Sequence, residues 1–164
     1  KLKGARRAPA AGLTPNLEGK RGAFVSLHKG GRLRGCIGQI VPAKALYQTI
    51  EDMAVAAAFD DPRFEPLSAR ELKDLELEIS VLTPMERLKS PEEIEIGKHG
   101  LYIKKGFYSG LLLPQVATEM GWSAVEMLSA VCEKAGLRSD AWREPGVRLS
   151  VFEVVHVGGP LVPA

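Results

Sequence analysis

Cysteine is scarce in this chain of 164 residues, which has only Cys36 and Cys132. Neither thiol stands in a CxxC or Cys/His spacing, and two are too few for a disulfide framework. The three histidines, His28, His99 and His156, are scattered and form no HExxH or HxH pair. We therefore predict no metal site.

Long apolar runs and nucleotide-binding motifs are also missing. No stretch approaches the roughly 20 apolar residues that cross a bilayer, and no signal-peptide pattern opens the chain. The absence of GxGxxG, GxxxxGKS/T and GxSxG argues against Rossmann, P-loop and α/β-hydrolase folds. Hydrophobic residues make up 45% of the chain and charged residues 26%, the balance of a globular domain. We expect a soluble, cytoplasmic protein with no cofactor and no membrane contact.

The charge is unevenly distributed, although the net charge is only +2. Residues 1–34 carry nine Lys and Arg against Glu18 alone, a net charge of +8. Such asymmetry can mark a nucleic-acid contact. No RNP-like aromatic pattern, zinc finger or helix-turn-helix accompanies it, so a solvated tail and hairpin tip explain it better.

The best-marked element is a β-hairpin over residues 22–40. Gly30 and Gly31 form a two-residue turn signal between two strand patterns. A tight turn there places Val25 opposite Cys36. Alternation then puts Arg34, Cys36 and Gly38 on one face, and His28 on the face opposite to Cys36.

The rest of the chain predicts an α+β domain over residues 20–164, preceded by a flexible segment over 1–19. A helix over 43–59 buries one apolar stripe, and its Ala56–Ala58 run lets another backbone approach closely. Asp61-Pro62 ends that helix. Further elements are a capped turn at 68–73, strands over 75–81, 101–104, 107–113 and 147–157, and a helix from the capping box Ser123–Glu126.

The hexapeptide LRGCIG at residues 33–38 carries the most unusual chemistry. Glycine inside a strand marks a bulge or a close approach to the backbone, and here Gly35 and Gly38 bracket Cys36. A guanidinium beside a thiol favours the reactive thiolate, and Arg34 with free backbone N–H groups suits an anion. The structural alternative is that Cys36 is simply a small residue that fits under a helix.

A second candidate is the loop that contains Asp60, Asp61 and Arg63. Its carboxylates can act as acid/base groups or as Mg²⁺ ligands, or they can accept backbone and arginine hydrogen bonds where the helix ends. Loops on rigid scaffolds often carry binding residues, so both interpretations stay open.

At these residues the sequence resembles the AMMECR family over about residues 20–157. The matching segments are GAFVSL at 22–27, LRGCIG at 33–38, AVAAAFDDPRF at 54–64, LEISVL at 77–82 and GLLLPQV at 110–116. Family members usually have a helix before the hairpin, which residues 1–19 do not resemble. The resemblance implies an α+β fold, with an antiparallel sheet flanked by helices and a small subdomain.

The resemblance implies no established activity. Prokaryotic members accompany a Memo-type protein and a radical-SAM protein in the so-called AmmeMemoRadiSam system. Carried over by similarity, the candidate site consists of Arg34, Cys36, Asp60, Asp61 and Arg63.

Three functions follow as hypotheses. The leading one is a ligand- or partner-binding domain whose site around LRGCIG accepts a small anionic group or a partner's peptide. The second is an enzyme that uses Cys36 as nucleophile or redox centre. The third and least supported is nucleic-acid contact through the basic first 34 residues.

Overall fold

The computed structural model describes residues 14–161, and the chain divides into two compact units. The first comprises Lys1–Val81 and Val155–Ala164, and the second comprises Leu82–Val154. Each contains a four-stranded sheet, and the α+β class is confirmed. The expected small subdomain is thus a unit with a sheet and a core of its own.

The first unit contains a sheet of strand order β2-β1-β3-β8, in which β1 pairs antiparallel with β2 and with β3. Its elements are α1 (Pro15–Glu18), β1 (Ala23–Lys29), β2 (Arg32–Gln39), α2 (Leu46–Phe59), the 3₁₀ helix η1 (Ala69–Asp74), β3 (Leu75–Leu82) and β8 (Val154–Pro160).

The second unit contains a sheet of order β4-β7-β5-β6. Its elements are β4 (Glu86–Arg87), η2 (Pro91–Glu93), β5 (Gly100–Lys105), β6 (Tyr108–Leu112), α3 (Pro114–Met120), α4 (Ala124–Lys134), η3 (Ala141–Arg143) and β7 (Arg148–Phe152). Cys132 on α4 is fully buried, and this burial raises the pKa of its thiol. Within the described residues, no helix is long and apolar enough to cross a membrane.

The predicted hairpin turn is confirmed, but the predicted register is wrong. Gly30 and Gly31 both adopt positive φ, +55° and +72°, as the tight turn requires. The register then shifts between Leu27 and His28, and Cys36 lies opposite Ser26 instead of Val25. Because β1 pairs regularly with β3, the extra residue lies in β2, where Arg34 has no direct partner on β1.

Three further elements differ from the sequence prediction. Pro114 begins α3 instead of merely ending a strand, because proline fits the first turn of a helix. The predicted last strand is two strands, β7 and β8, which belong to different sheets. The turn α1 lies within the segment predicted to be flexible, and the carbonyl of Gly19 after it accepts a hydrogen bond from Leu46 N–H at the start of α2. Residues 1–13 of that segment lie outside the described part.

The first unit is held together by a close contact between β2 and α2. A Cβ built on Gly35 would lie 2.1 Å from the carbonyl oxygen of Ala57, so only glycine fits. The expectation that the alanine run admits another backbone is met here. Below this contact, Leu27, Ala57, Leu67 and Leu75 form the core.

We predict that Gly35→Ala destabilises the protein more than Gly38→Ala. At Gly35 the obstacle is helix backbone, and overpacking of this kind costs about 1–3 kcal/mol. At Gly38 the added Cβ would meet the ring of Phe24 at 2.0 Å, and a side chain can rotate away. Urea unfolding of both variants gives the comparison, and an equal or reversed order would contradict this account of the contact.

Candidate functional site

The loop after α2 closes the outer edge of β2. The Cys36 N–H donates to Asp61 Oδ2 at 2.8 Å, and Arg63 Nη2 donates to the Cys36 carbonyl oxygen at 3.2 Å. An edge strand otherwise presents unpaired backbone groups. At Cys36 the loop therefore takes the place of a neighbouring strand. It also brings together the LRGCIG segment and the Asp60–Arg63 loop, which the sequence analysis treated as two separate candidates.

Asp61 is the centre of this arrangement, with only 4% of its surface exposed. Arg63 donates to Oδ1 through Nε at 2.9 Å and to Oδ2 through Nη2 at 2.7 Å, and its backbone N–H also donates to Oδ1. The Arg63 side chain, and then the Cys36 N–H, hold the pKa of the Asp61 carboxyl well below its usual range. The carboxylate therefore stays ionised and fixes both partners.

Arg63 is held rigidly and yet reaches solvent, since 55% of its side chain is exposed. The hydrogen bonds that Arg63 donates to Asp61 raise the pKa of Arg63, and the Cys36 side chain adds a smaller effect in the same direction. The guanidinium also lies over the ring of Phe64, 5.4 Å from its centroid. Within residues 14–161, the bonds of its guanidinium to Asp61 and to the Cys36 carbonyl oxygen use Nε and Nη2, and none of these bonds uses Nη1.

The Cys36 thiol is partly exposed and lies on the face of the sheet opposite to Gly35 and α2. Ser26 Oγ donates a hydrogen bond to Cys36 Sγ at 3.2 Å. His28 follows Ser26 by two residues on a regular strand and shares this face, contrary to the prediction from the assumed register.

The sequence suggested that Gly35 and Gly38 expose the backbone to a ligand, but the structure shows both glycines covered. Gly35 is covered by α2, and Gly38 is covered by the ring of Phe24. Both positions hold glycine because a neighbouring group already fills the space that a side chain would occupy.

Arg34 does not lie beside the Cys36 thiol, because the bulge in β2 turns the Arg34 side chain towards Glu71. Its Nε and Nη2 donate to Glu71 at 3.1 and 3.4 Å, and its Nη1 donates to the carbonyl oxygen of Glu65 at 2.9 Å. Lys29 also pairs with Glu71, so two basic side chains of residues 1–34 share one carboxylate within the fold.

Glu71 was not identified as a site residue from the sequence. The Ser68 N–H, and then Arg34, hold the pKa of its carboxyl well below the usual range. The Ser68–Glu71 capping box was the available signal.

Asp60, the remaining sequence candidate, caps the end of α2 and is exposed. The cluster at Cys36 involves Asp61 and not its neighbour. No group of three or more His, Cys, Asp or Glu within residues 14–161 is arranged to hold a metal ion.

Fold and site together define a two-unit α+β protein that has, at one sheet edge, a thiol and a buried aspartate paired with a half-exposed arginine. The AMMECR1 family model matches residues 1–157, and the chain belongs to the AMMECR1 family. The match extends the sequence resemblance to the first residue.

Several archaeal proteins are similar to this chain. Protein Mbar_A1807 of Methanosarcina barkeri is 46% identical over 146 residues, covering 86% of this chain and 72% of that one. Protein NEQ441 of Nanoarchaeum equitans is 48% identical over 141 residues, covering 82% and 78%. The crystal structure of the uncharacterized protein PH0010 from Pyrococcus horikoshii has a TM-score of 0.85 at 38% identity, covering 98% of this chain and 85% of that one.

Substitution of Asp61 should change how stability depends on pH. A carboxyl whose pKa is lowered by folding stabilises the protein above its unfolded pKa of about 4, and this contribution is lost as the pH falls further. At neutral pH we expect Asp61→Asn to have a lower free energy of unfolding than the native chain. Below about pH 4 the difference in free energy of unfolding between the two proteins should become smaller. Urea unfolding across this range measures it. Asp60→Asn, at an exposed position, controls for the lost charge and should lose less stability at neutral pH. A loss of stability in Asp61→Asn that does not depend on pH would contradict the prediction.

Proposed function

We propose that this chain is a binding domain, and that the surface formed by Cys36 and Arg63 accepts an anionic group of a small ligand or of a partner's peptide. The observation that supports this proposal is the half-exposed guanidinium held in place by a buried carboxylate. Arginine donors in a fixed orientation recognise carboxylate and phosphate with little loss of side-chain freedom.

The site is small and its chemistry is simple. Nη1 of Arg63 supplies donors for an anion, and the Cys36 thiol and Ser26 hydroxyl offer weaker polar contacts beside it. Asp61 offsets the arginine charge, so the attraction is short-ranged and depends on directed hydrogen bonds. Such a site selects for shape and donor geometry more than for charge.

The other residues predicted from the sequence support this surface in different ways. Gly35 and Gly38 allow α2 and Phe24 to pack against β2, and Arg34 anchors η1 through Glu71. In this proposal they position the edge strand without touching the ligand.

The partners proposed for the domain are the Memo-type and radical-SAM proteins that the family resemblance implies. An anionic side chain or a bound phosphate of such a partner has the chemistry that Arg63 accepts. The proposal for the site and the proposal for the partners are separable.

Replacement of Arg63 should abolish ligand binding. We expect one or more members of a panel of nucleotides, S-adenosylmethionine and phosphorylated metabolites to raise the melting temperature of the native chain. Arg63→Gln should remove that shift, since a charged hydrogen bond contributes about 1.5–3 kcal/mol. Arg70→Gln, which removes an exposed arginine of the same unit, should keep it.

Unchanged melting across the whole panel would rule out a small-molecule site among these compounds. The same two variants test the proteins as partners, by co-purification with a tagged Memo-type or radical-SAM protein. Capture that is lost with Arg63→Gln and kept with Arg70→Gln supports the partner surface. Equal capture of all three chains would place any interface elsewhere.

A cysteine-dependent enzyme is the second candidate, because the Arg63 guanidinium is hydrogen-bonded to the Cys36 carbonyl oxygen and His28 shares the face of Cys36. This candidate predicts that iodoacetamide modifies Cys36, and that Arg63→Gln slows the reaction several-fold by removing a nearby positive charge. Peptide mapping separates Cys36 from the buried Cys132. If Cys36→Ser binds the ligand as the native chain does, and Cys36 in the native chain resists modification, the enzyme candidate is excluded.

A further inference from the structure

The opposite edge of the same sheet lies open, in contrast to β2. The edge strand β8 leaves 52% of Val155 and 59% of Val157 exposed. In the part of the chain that the structure describes, no strand pairs with the outer side of β8. Edge strands of this kind are normally shielded by charge, by covering loops or by another strand.

The side chains of β8 follow a simple alternation. His156 Nδ1 lies 3.1 Å from Ser80 Oγ and 3.4 Å from Glu78 Oε1, on the polar face of the sheet. Val155, Val157 and Gly159 therefore share the other face. The strand thus has bulky residues in its first half and two glycines in its second.

We propose that β8 pairs antiparallel with β8 of a second copy of this chain, around a two-fold axis at Val157. This register puts Val157 beside its own equivalent, Val155 opposite Gly159 of the partner subunit, and His156 opposite Gly158 of the partner subunit. Val155 and His156 then each face a glycine, the two valines at the axis face each other, and Val154 lies opposite Pro160 of the partner subunit at the ends of the pairing. The pattern is complementary to itself, which is the requirement for a two-fold interface.

Gly159 creates space for this pairing. Nothing lies within 4 Å of a Cβ added at Gly159, so Val155 of the partner subunit can pack there, towards Leu77 on the same face. On the polar face, a Cβ at Gly158 would lie 2.9 Å from the Leu77 carbonyl oxygen, so this position has no room for a side chain of its own. The pairing therefore brings the Glu78 carboxylate towards the imidazole of His156 of the partner subunit.

The backbone groups also have the correct orientation. The N–H of Leu161 donates to the carbonyl oxygen of Leu75, so the backbone groups of alternate residues, among them His156 and Gly158, point outward. In the proposed register these two residues exchange both of their hydrogen bonds with the partner. Pro160, which lacks an N–H, lies at the end of the strand, where its missing donor is tolerated.

The proposal predicts that the native chain is a dimer in sedimentation equilibrium at micromolar concentration. Val157→Lys places two lysines side by side at the axis and should give a monomer. Gly159→Val should also give a monomer, because it fills the space needed by Val155 of the partner subunit while leaving its own unit unstrained. Val125→Lys, an equally apolar exposed position in the other unit, should remain a dimer.

A covalent test fixes the register. In a Cys36→Ser background, Val157→Cys should form a disulfide between two copies on oxidation, because residues at the axis are direct neighbours. Val155→Cys, which faces a glycine, should not. A native chain that stays monomeric at high micromolar concentration would overturn the proposal, and so would a dimer that survives both Val157→Lys and Gly159→Val. This test is independent of ligand binding at Arg63.

Discussion

The buried carboxylate of Asp61 is the constraint on which the candidate site depends. It accepts hydrogen bonds from Cys36 N–H and from three donors of Arg63, and so it joins an edge strand to the loop that follows α2. A charge that is 4% exposed is stable only with such partners. The exposure of Arg63 follows from this arrangement, because one side of its guanidinium is fixed by Asp61 and the other side faces solvent.

The approach of α2 to β2 determines where this carboxylate can lie. Gly35 admits the carbonyl of Ala57 at a distance that no Cβ permits, and α2 ends two residues later at Phe59. The loop therefore leaves the helix directly beside the strand edge, and Asp61 meets Cys36 within two residues of the helix end. A larger residue at position 35 would move the helix, and the hydrogen bond of Asp61 to Cys36 N–H would lengthen with it.

Local patterns predicted the elements of this fold better than the contacts between them. The turn at Gly30-Gly31 and the capping box at Ser123–Glu126 are sequence-local, and both were found as predicted. The bulge in β2 was not predictable, since the pairing of β1 with β3 decides which strand takes the extra residue. That single residue reversed the interpretation of the site, because it moved Arg34 to Glu71 and brought His28 to the face of Cys36.

The motif and the loop contain residues that the structure brings into contact, but the glycines of the motif are there for packing and not for access to the backbone. Sequence alone recognised LRGCIG and the Asp61–Arg63 loop as unusual, and the structure joins them through backbone hydrogen bonds that no composition or periodicity encodes. Gly35 and Gly38 are required for packing, and Arg34, which precedes them in the sequence, forms hydrogen bonds with Glu71.

The two edges of the first sheet differ in how their outward backbone groups are covered. At β2, the chain supplies its own substitute for a neighbouring strand, and the charges that do so are fixed before any partner arrives. At β8, the described chain supplies no such cover, although backbone donors and exposed valines are present. Exposed edge strands are normally covered, and the proposed pairing of β8 with a second copy would supply at this edge what the Asp61–Arg63 loop supplies at the other.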